Sequence, residues 1–345
     1  MKAGTIDLIE TAYRTDVDTT TWLRDLAVTM PRPPRSHGVV SYLYRLTLEG
    51  RVEIDDVAEI DVPTSLLSVT KSAVAAMPPD YVRQTWATVP ATMALQTGDE
   101  ATRTQTRAAL HGLYDHVGIK DILVLNGIDP TGAGVYIGAL TGEEASLTRR
   151  EQTTWSRVAS HLAAAYRLRR AQPSEPEAIL SARGRIEHAI DAATTRDARE
   201  SLRDAALAID RARTNRWRAH DAEAVEMWHA LVAGRWTLID RVDNDGRRYF
   251  IARKNDPEVA RHHALTRREL QVVGYAVLGH SNKLIAYEMG LSVSTVAGYL
   301  ASASDKLGVG ARTALIQAAQ AFGAPAAPTP SAIGSGPTTR PDDEP

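Results

Sequence analysis

Cysteine is absent from the 345 residues. That excludes disulfides, thiol catalysis, iron–sulfur clusters and cysteine-based zinc sites, and it suits a reducing compartment. Long apolar runs are missing as well, since no stretch approaches the roughly 18 residues of a membrane-spanning helix. The opening residues, MKAGTIDLIETAYRT, lack the apolar centre of a secretory signal. Net charge is nearly absent, with 40 Lys and Arg against 42 Asp and Glu, so affinity for nucleic acid must come from a local patch. No P-loop, GxGxxG, HExxH, EF-hand or GxSxG is present. Acidic residues are plentiful but scattered through amphipathic segments. His111 and His116, five apart on a helical stretch, point about 140° away from each other and make no metal pair. The expectation is therefore a protein that is no enzyme, with no metal, no cofactor and no membrane partner.

What is present is an ordinary globular composition, 43% apolar and 24% charged, on a chain long enough for two or three domains. The most structured signal lies between Leu265 and Ile316. Thr266 and Glu269 form a capping box, and Leu270, Val273 and Val277 follow as one apolar face. Gly279 ends that helix. Ser281 or His280 caps a second, holding Ile285 and Met289, and Gly290 ends it. Leu291 fills the turn and Ser292 caps a third helix, lined inside by Val296, Leu300, Ala303 and Leu307. Gly308 stops that one, and a fourth begins near Ala311 with Leu315, Ala318 and Phe322 facing in. A short glycine turn between two short helices is the pattern of a helix-turn-helix.

These residues resemble the DNA-binding domain of the LuxR family, with its GerE-type tetrahelical fold. The matching positions are Leu265-Thr266, Arg268-Glu269, Gly279, Ser281-Asn282-Lys283, Ile285-Ala286, Leu291-Ser292, Thr295-Val296, Lys306-Leu307-Gly308-Val309 and Arg312. The resemblance implies a bacterial, cytoplasmic transcription regulator that binds double-stranded DNA, with RNA polymerase as a further partner. It places the third helix in the major groove, with Ser292, Ser294, Thr295, Ala297, Tyr299 and Ser302 offered to DNA and Lys283, Lys306 and Arg312 on phosphates. One departure matters. The family usually has a lysine and a histidine after Thr295-Val296, where this chain has Ala297, Gly298 and Tyr299. From Arg261 to Ile316 there are six Lys/Arg and three Asp/Glu, a net of only +3. Phosphate neutralisation supplies most DNA affinity, so weak binding per protomer and a homodimer on DNA are expected.

Ahead of this stretch, residues 1–30 read as helical, with Ile9, Tyr13, Trp22, Leu26 and Met30 facing a core. Strands follow at Val39–Leu46 and Val52–Val57, helices at Pro63–Met77, Pro79–Ala87 and Thr102–His116, and strands at Ile119–Leu125 and Gly134–Leu140. A long helix spans Thr148–Leu168. This order resembles a GAF-like sensor domain, which implies a small-molecule effector in an apolar pocket. Tyr42, Tyr44, Trp86, Tyr114 and Tyr136 are the candidate lining, although each is equally suited to a core. A phosphoacceptor receiver is excluded, because Asp55-Asp56 falls between adjoining strands. The homoserine-lactone-binding domain of quorum-sensing members stays open as an alternative, without a match to its aromatic and aspartate pattern. Trp155, Val158, Leu162 and Ala165 form a short heptad seam that suits either a parallel dimer or packing on the chain's own sheet. Further on, Ala178–His188 reads as strand, glycine turn, strand. Arg196–Arg213 is a balanced, charged helix, and Asp243–Gly246 is a hairpin turn. That segment resembles a reduced PAS-like module.

The expected organisation is multidomain. It comprises an α/β GAF-like sensor at 1–172 ending in a long signalling helix, a small α+β PAS-like module at 173–260, an all-α four-helix LuxR-type domain at 261–323, and a disordered Pro-rich tail at 324–345. A fragment beginning near Asn255 is expected to fold alone. The alternative to a DNA-binding regulator is an adaptor that keeps the helix-turn-helix for protein contacts.

Overall fold

The computed structural model describes residues 4–47, 50–62, 66–86, 90–171, 174–214, 220–256 and 265–322. The tail, Arg261 and the expected joints at 172–173 and 260–261 lie outside the described residues, as does the Phe322 side chain. Two helices open the chain, α1 (Thr5–Ala12) and α2 (Thr19–Thr29). Asp18 caps α2 by accepting from the Thr21 amide at 2.9 Å. Ile9, Tyr13, Trp22, Leu26 and Met30, expected inside, are all buried, and the Trp22 indole donates to the Ala12 carbonyl at 2.9 Å.

The first sheet is built from β1 (Ser36–Leu46), β2 (Val52–Ile60), β3 (Ala91–Met93), β4 (Asp121–Ile128) and β5 (Ala133–Thr141). It is antiparallel throughout, in the order β2-β1-β5-β4-β3. Helices α3 (Leu66–Ala75), α4 (Pro79–Thr85) and α5 (Glu100–Tyr114) cover one face, and α2 and α6 (Arg149–Arg170) the other. Strand residues alternate sides, so parity decides where each points. Odd-numbered Val39, Leu43, Leu123, Leu125, Val135 and Ile137 enter the core under α2 and α6. Even-numbered Val40, Tyr42, Tyr44, Thr92, Val124, Asn126 and Tyr136 face the α3–α5 side. With both faces covered, the strands read as near-continuous apolar runs.

The second sheet uses β6 (Ala178–Ser181), β7 (Ile186–Ala189), β8 (Leu231–Val232), β9 (Trp236–Val242) and β10 (Arg248–Lys254), with α7 (Arg196–Ala212) and α8 (Asp221–Met227) between β7 and β8. Its order is β7-β6-β10-β9-β8. Renumbered from its first strand, that is the order of the first sheet. The chain thus lays down one strand order twice, with a helix, α5, between the third and fourth strands of the first sheet only. The expected Gly184 and Asp243–Gly246 turns are present, with Gly184 and Gly246 at φ of +73° and +77°.

Helix α6 is the shared wall between these parts. Residues 158 to 168 are all buried, and Thr148 and Glu151 close a capping box at its start. The seam of Val158, Leu162 and Ala165, with Trp155 half-buried, is consumed inside the chain's own core, so it offers no surface to a parallel partner. The sheet approaches this helix most closely at Gly127. A Cβ there would lie 2.7 Å from the Ala159 carbonyl oxygen and the Ala163 amide, and 2.9 Å from the Leu162 Cβ. Backbone cannot step aside, so only glycine lets β4 and α6 meet.

The chain ends in α9 (Arg267–Val277), α10 (Asn282–Met289), α11 (Val293–Leu307) and α12 (Arg312–Phe322). Thr266, Ser281 and Ser292 cap the first three, each side chain accepting from an amide three residues on. Gly290 and Gly308 take left-handed C-caps. On α9 the buried stripe is Val272, Val273, Tyr275 and Ala276, while Leu270 and Val277, expected inside, are half-buried. The stripe is wider than a three-residue pattern because Tyr275 also reaches beyond the bundle, its hydroxyl accepting from Arg167 of α6 at 3.5 Å. Among the described residues, no single helix is long and apolar enough to cross a membrane.

Gly127→Ala is expected to destabilise the protein by about 1–3 kcal/mol through overpacking, read as a lower midpoint in chemical denaturation. Gly298 on α11 meets nothing within 4 Å, so Gly298→Ala should stabilise by roughly 0.5–1 kcal/mol. Equal effects from the two substitutions would refute the close-packing argument.

Candidate functional site

A cavity of about 110 Å³ lies between the even-numbered face of the first sheet and α4–α5. The Tyr42 and Tyr136 rings stack at 4.5 Å, and Trp86 stacks on Tyr136 at 5.7 Å. Leu110 and Tyr114 close it from α5. The hydroxyls are used locally. Tyr114 Oη lies 2.9 Å from Thr70 Oγ1, and Tyr81 Oη lies 2.8 Å from Thr106 Oγ1. Among the described residues the lining contains no Asp, Glu, Lys, Arg or His, and burial pushes the Tyr42 and Tyr136 phenols above their ordinary values. The described lining is therefore uncharged and mostly apolar, with five aromatic side chains in it.

Of the five expected lining residues, Tyr42, Trp86, Tyr114 and Tyr136 come together there, and Tyr44 does not. Its ring lies over Gly134, where a Cβ would sit 2.4 Å away, and its hydroxyl donates to Asn126 Oδ1. Asn126 in turn donates to the Trp86 carbonyl. Tyr44 thus supports the cavity from behind, through a residue that composition and periodicity did not single out. The apolar cluster holding Tyr42, Tyr44 and Ile128 runs on into Val272, Tyr275 and Ala276 of α9.

The other face of α6 grips the C-terminal helices through polar side chains. His161 accepts from or donates to Tyr13 Oη at 2.8 Å through Nδ1, and meets Tyr287 Oη at 2.7 Å through Nε2. Tyr287 donates to the Val225 carbonyl at 3.0 Å. Its hydroxyl proton is thereby spent, so His161 Nε2 donates and Nδ1 accepts from Tyr13. This is the neutral tautomer. Burial, helped by His229 and Arg157, pushes the His161 pKa down to about 3. Ser160 Oγ lies 2.9 Å from Glu288 Oε1, whose Oε2 meets His280 Nδ1 at 2.9 Å. Buried Arg167 donates to Asn255 Oδ1 at 2.9 Å, and Asn255 Nδ2 donates to Thr237 Oγ1 at 2.6 Å and the Ala164 carbonyl at 3.0 Å. A fragment starting at Asn255 would lose Ser160, His161, Arg167, Thr237 and Ala164 as partners and keep the Glu288–His280 pair. The turn between α10 and α11 is also seated on the body. A Cβ on Gly290 would lie 2.4 Å from the Leu231 carbonyl oxygen.

What remains open is the outer face of α11. Val293, Ser294, Thr295, Ala297, Gly298, Ala301 and Asp305 are exposed. Ser292 is exposed and serves as the cap, with the Ser294 and Thr295 hydroxyls 2.8 and 2.7 Å from its own. Tyr299 is half-buried against the bundle. Ser302 turns inward and donates to Glu269 Oε1 at 2.6 Å. Lys306 Nζ sits 2.8 Å from both Glu269 oxygens. Burial opposes ionisation of Glu269, but Lys306, Ser302 and Thr266 outweigh it and bring its pKa down to about 2. Stability from this carboxylate is present above its ordinary value of 4.5 and is lost as pH falls through about 2. Arg312 donates to Asn282 Oδ1 at 2.6 Å and to the His280 carbonyl at 2.7 Å. Lys283 is exposed, in a cleft shared with α7 and α8. Ser302, Lys306 and Arg312, expected on DNA, each also have a partner within the domain, and Lys306 remains exposed.

Residues 263–319 match the family described as "Bacterial regulatory proteins, luxR family". Two solved structures of SdiA align with most of the chain. The crystal structure of Escherichia coli SdiA in space group P6522 has 9% identity and a TM-score of 0.27, covering 92% of this chain and 96% of that one. SdiA in complex with octanoyl-rac-glycerol has 10% identity and a TM-score of 0.28, covering 92% and 93%. The family match spans α9 to α12 and not the two sheets. Two antiparallel α/β regions therefore precede a LuxR-type helix-turn-helix domain, from a family of regulatory proteins and not of enzymes.

Proposed function

We propose that this chain is a DNA-binding transcription regulator whose first sheet region senses a small uncharged molecule. The observation that carries the reading is the open outer face of α11 within a LuxR-type domain whose first three helices are side-chain capped. Docked in the major groove, Ser294 and Thr295 would meet base edges, and Thr295 and Ala297 methyls would meet thymine methyls. Lys283 and the amides at capped helix ends would serve phosphates. Few cations per protomer make a dimer on two half-sites part of the proposal. Residues 1–172 are read as a GAF-like sensor and 173–260 as a PAS-like module, supported by the strand order that both sheets share. In this reading a ligand against Trp86 and Asn126 moves β4, and Gly127 passes the displacement to α6 because that contact has no slack. The opposite face of α6 holds Tyr287 and Glu288 of α10.

A second reading, a protein-binding adaptor, draws on the cation-poor face. Fluorescence anisotropy at low salt separates the two, since preference for two-fold symmetric sites over random duplex belongs only to the regulator. Ala297→Lys should raise affinity for all sequences and steepen the salt slope by about 0.9 per added phosphate contact, nearly doubled in a dimer. Lys306→Met should leave the slope unchanged and cost about 1–3 kcal/mol of stability, because it leaves the buried Glu269 carboxylate without its cation. A folded Ala297→Lys protein with unaltered affinity and slope would favour the adaptor.

The cavity can be probed with phenol and 1-hexanol beside the charged benzoate and hexanoate. At ten times its Kd, a neutral probe should stabilise the protein by about 1.4 kcal/mol, seen as a rise in melting temperature. Leu110→Trp, which fills the cavity, should abolish that rise. An identical rise in Leu110→Trp, or a preference for the anions, would remove the cavity from the sensing role.

A further inference from the structure

Arginine is the commonest cation of this chain, and several of its arginines are paired. Arg107, Arg170, Arg213, Arg235 and Arg248 each lie against a carboxylate. One cleft breaks that habit. Arg183 and Arg185 flank the β6–β7 turn, while Arg196, Arg199 and Arg203 follow one another at i, i+3 and i+7 on α7. Together they line an open cleft of about 510 Å³, within the size range of ligand sites, about 300–1,000 Å³. Glu200 is the sole acid in its lining, so the wall carries five positive charges against one negative. Among the described residues, none of the five arginines has an ion-pair partner.

The fold builds this cleft deliberately close. Gly184, at φ +73°, rests against α7, where a Cβ would meet Arg203 Cγ at 3.0 Å and the Arg203 carbonyl oxygen at 3.2 Å. The turn can therefore press on the helix, which carries Arg183 and Arg185 onto the three arginines of α7. The cleft also lies at the first two turns of α7, the end at which the helix dipole favours anions. Acid and base balance along α7 in sequence, but Asp204 lines a different cleft with Lys283 and Tyr287, so the charges are separated in space. Five mutually repelling guanidinium groups with a single carboxylate, Glu200, beside them are a standing cost that a polyanion would relieve. Guanidinium forks match phosphate oxygens two at a time.

We propose that this cleft binds a small molecule carrying two or more phosphate groups, at a site separate from both the aromatic cavity and α11. Guanidinium groups that converge from a turn and a helix suit a compact polyanion with several phosphates. The site stands independently of the DNA-binding reading.

The test is calorimetric titration of the full-length protein with inorganic triphosphate, at physiological ionic strength. Saturable binding with a Kd below about 1 mM is expected. Arg199→Gln/Arg203→Gln and Arg183→Gln/Arg185→Gln should each weaken it by at least roughly tenfold, while Arg24→Gln, an exposed arginine on α2, should not. All four cleft positions are exposed, and unchanged melting curves confirm that the variants fold. No saturable binding, or equal loss in Arg24→Gln, overturns the proposal. So does a duplex that displaces triphosphate, binds more tightly than it and loses affinity in the same two double variants, since the cleft would then be a DNA surface.

Discussion

The burial of α6 is the constraint on which the other parts depend. A 22-residue helix with a sheet on one side and the helix-turn-helix on the other has little solvent to relax into. Its two faces use different chemistry. Toward β4 the contact is steric and backbone-to-backbone, made possible by Gly127. Toward α9 and α10 it is polar, and the groups satisfy one another through Ser160, His161 and Arg167. A buried polar interface is costly when misaligned, so it admits one register of α6 against the C-terminal helices. A steric contact on one face and a register-specific contact on the other make the helix a rigid coupling rather than a spacer.

Charge is distributed with the same economy. The aromatic cavity holds none. The outer face of α11 holds almost none, because Lys306 is committed to Glu269 and Arg312 to α10. Cationic surplus collects on α7 and the β6–β7 turn. A near-neutral chain thereby carries three surfaces of different character, and total charge reports on none of them.

Much of the architecture was legible in the sequence because it rests on local rules. The capping box at Thr266, glycine stops at Gly290 and Gly308, and the turn at Gly246 depend on residues a few positions apart. Tyr42 and Tyr136 were readable in the cavity because alternation on β1 and β5 sends even-numbered residues to one side, while Trp86 and Tyr114 reach it from the end of α4 and from α5. Tyr44 shares that parity and misses the lining only because Gly134 leaves room for its ring to lie flat, a cross-strand detail with no local signal. The internal contacts of Lys306 and Arg312 were hidden for a similar reason. Their partners, Glu269 and Asn282, lie 37 and 30 residues away. The same strand order in the two sheets was hidden because β8 has only two residues.

Gly290 carries a consequence for how such a protein can change over generations. In an isolated helix-turn-helix, any residue tolerant of the left-handed region could end α10. Here the position also fits against the Leu231 carbonyl and the Ala233 amide. The turn is moulded to β8, and neighbouring Met289 and Arg268 crowd Gly234 from the same side. A reading domain grafted from another regulator would need this glycine and a matching contour, not merely a compatible linker. Exchange of modules by recombination is therefore restricted, and the reader and its body are bound to diverge together.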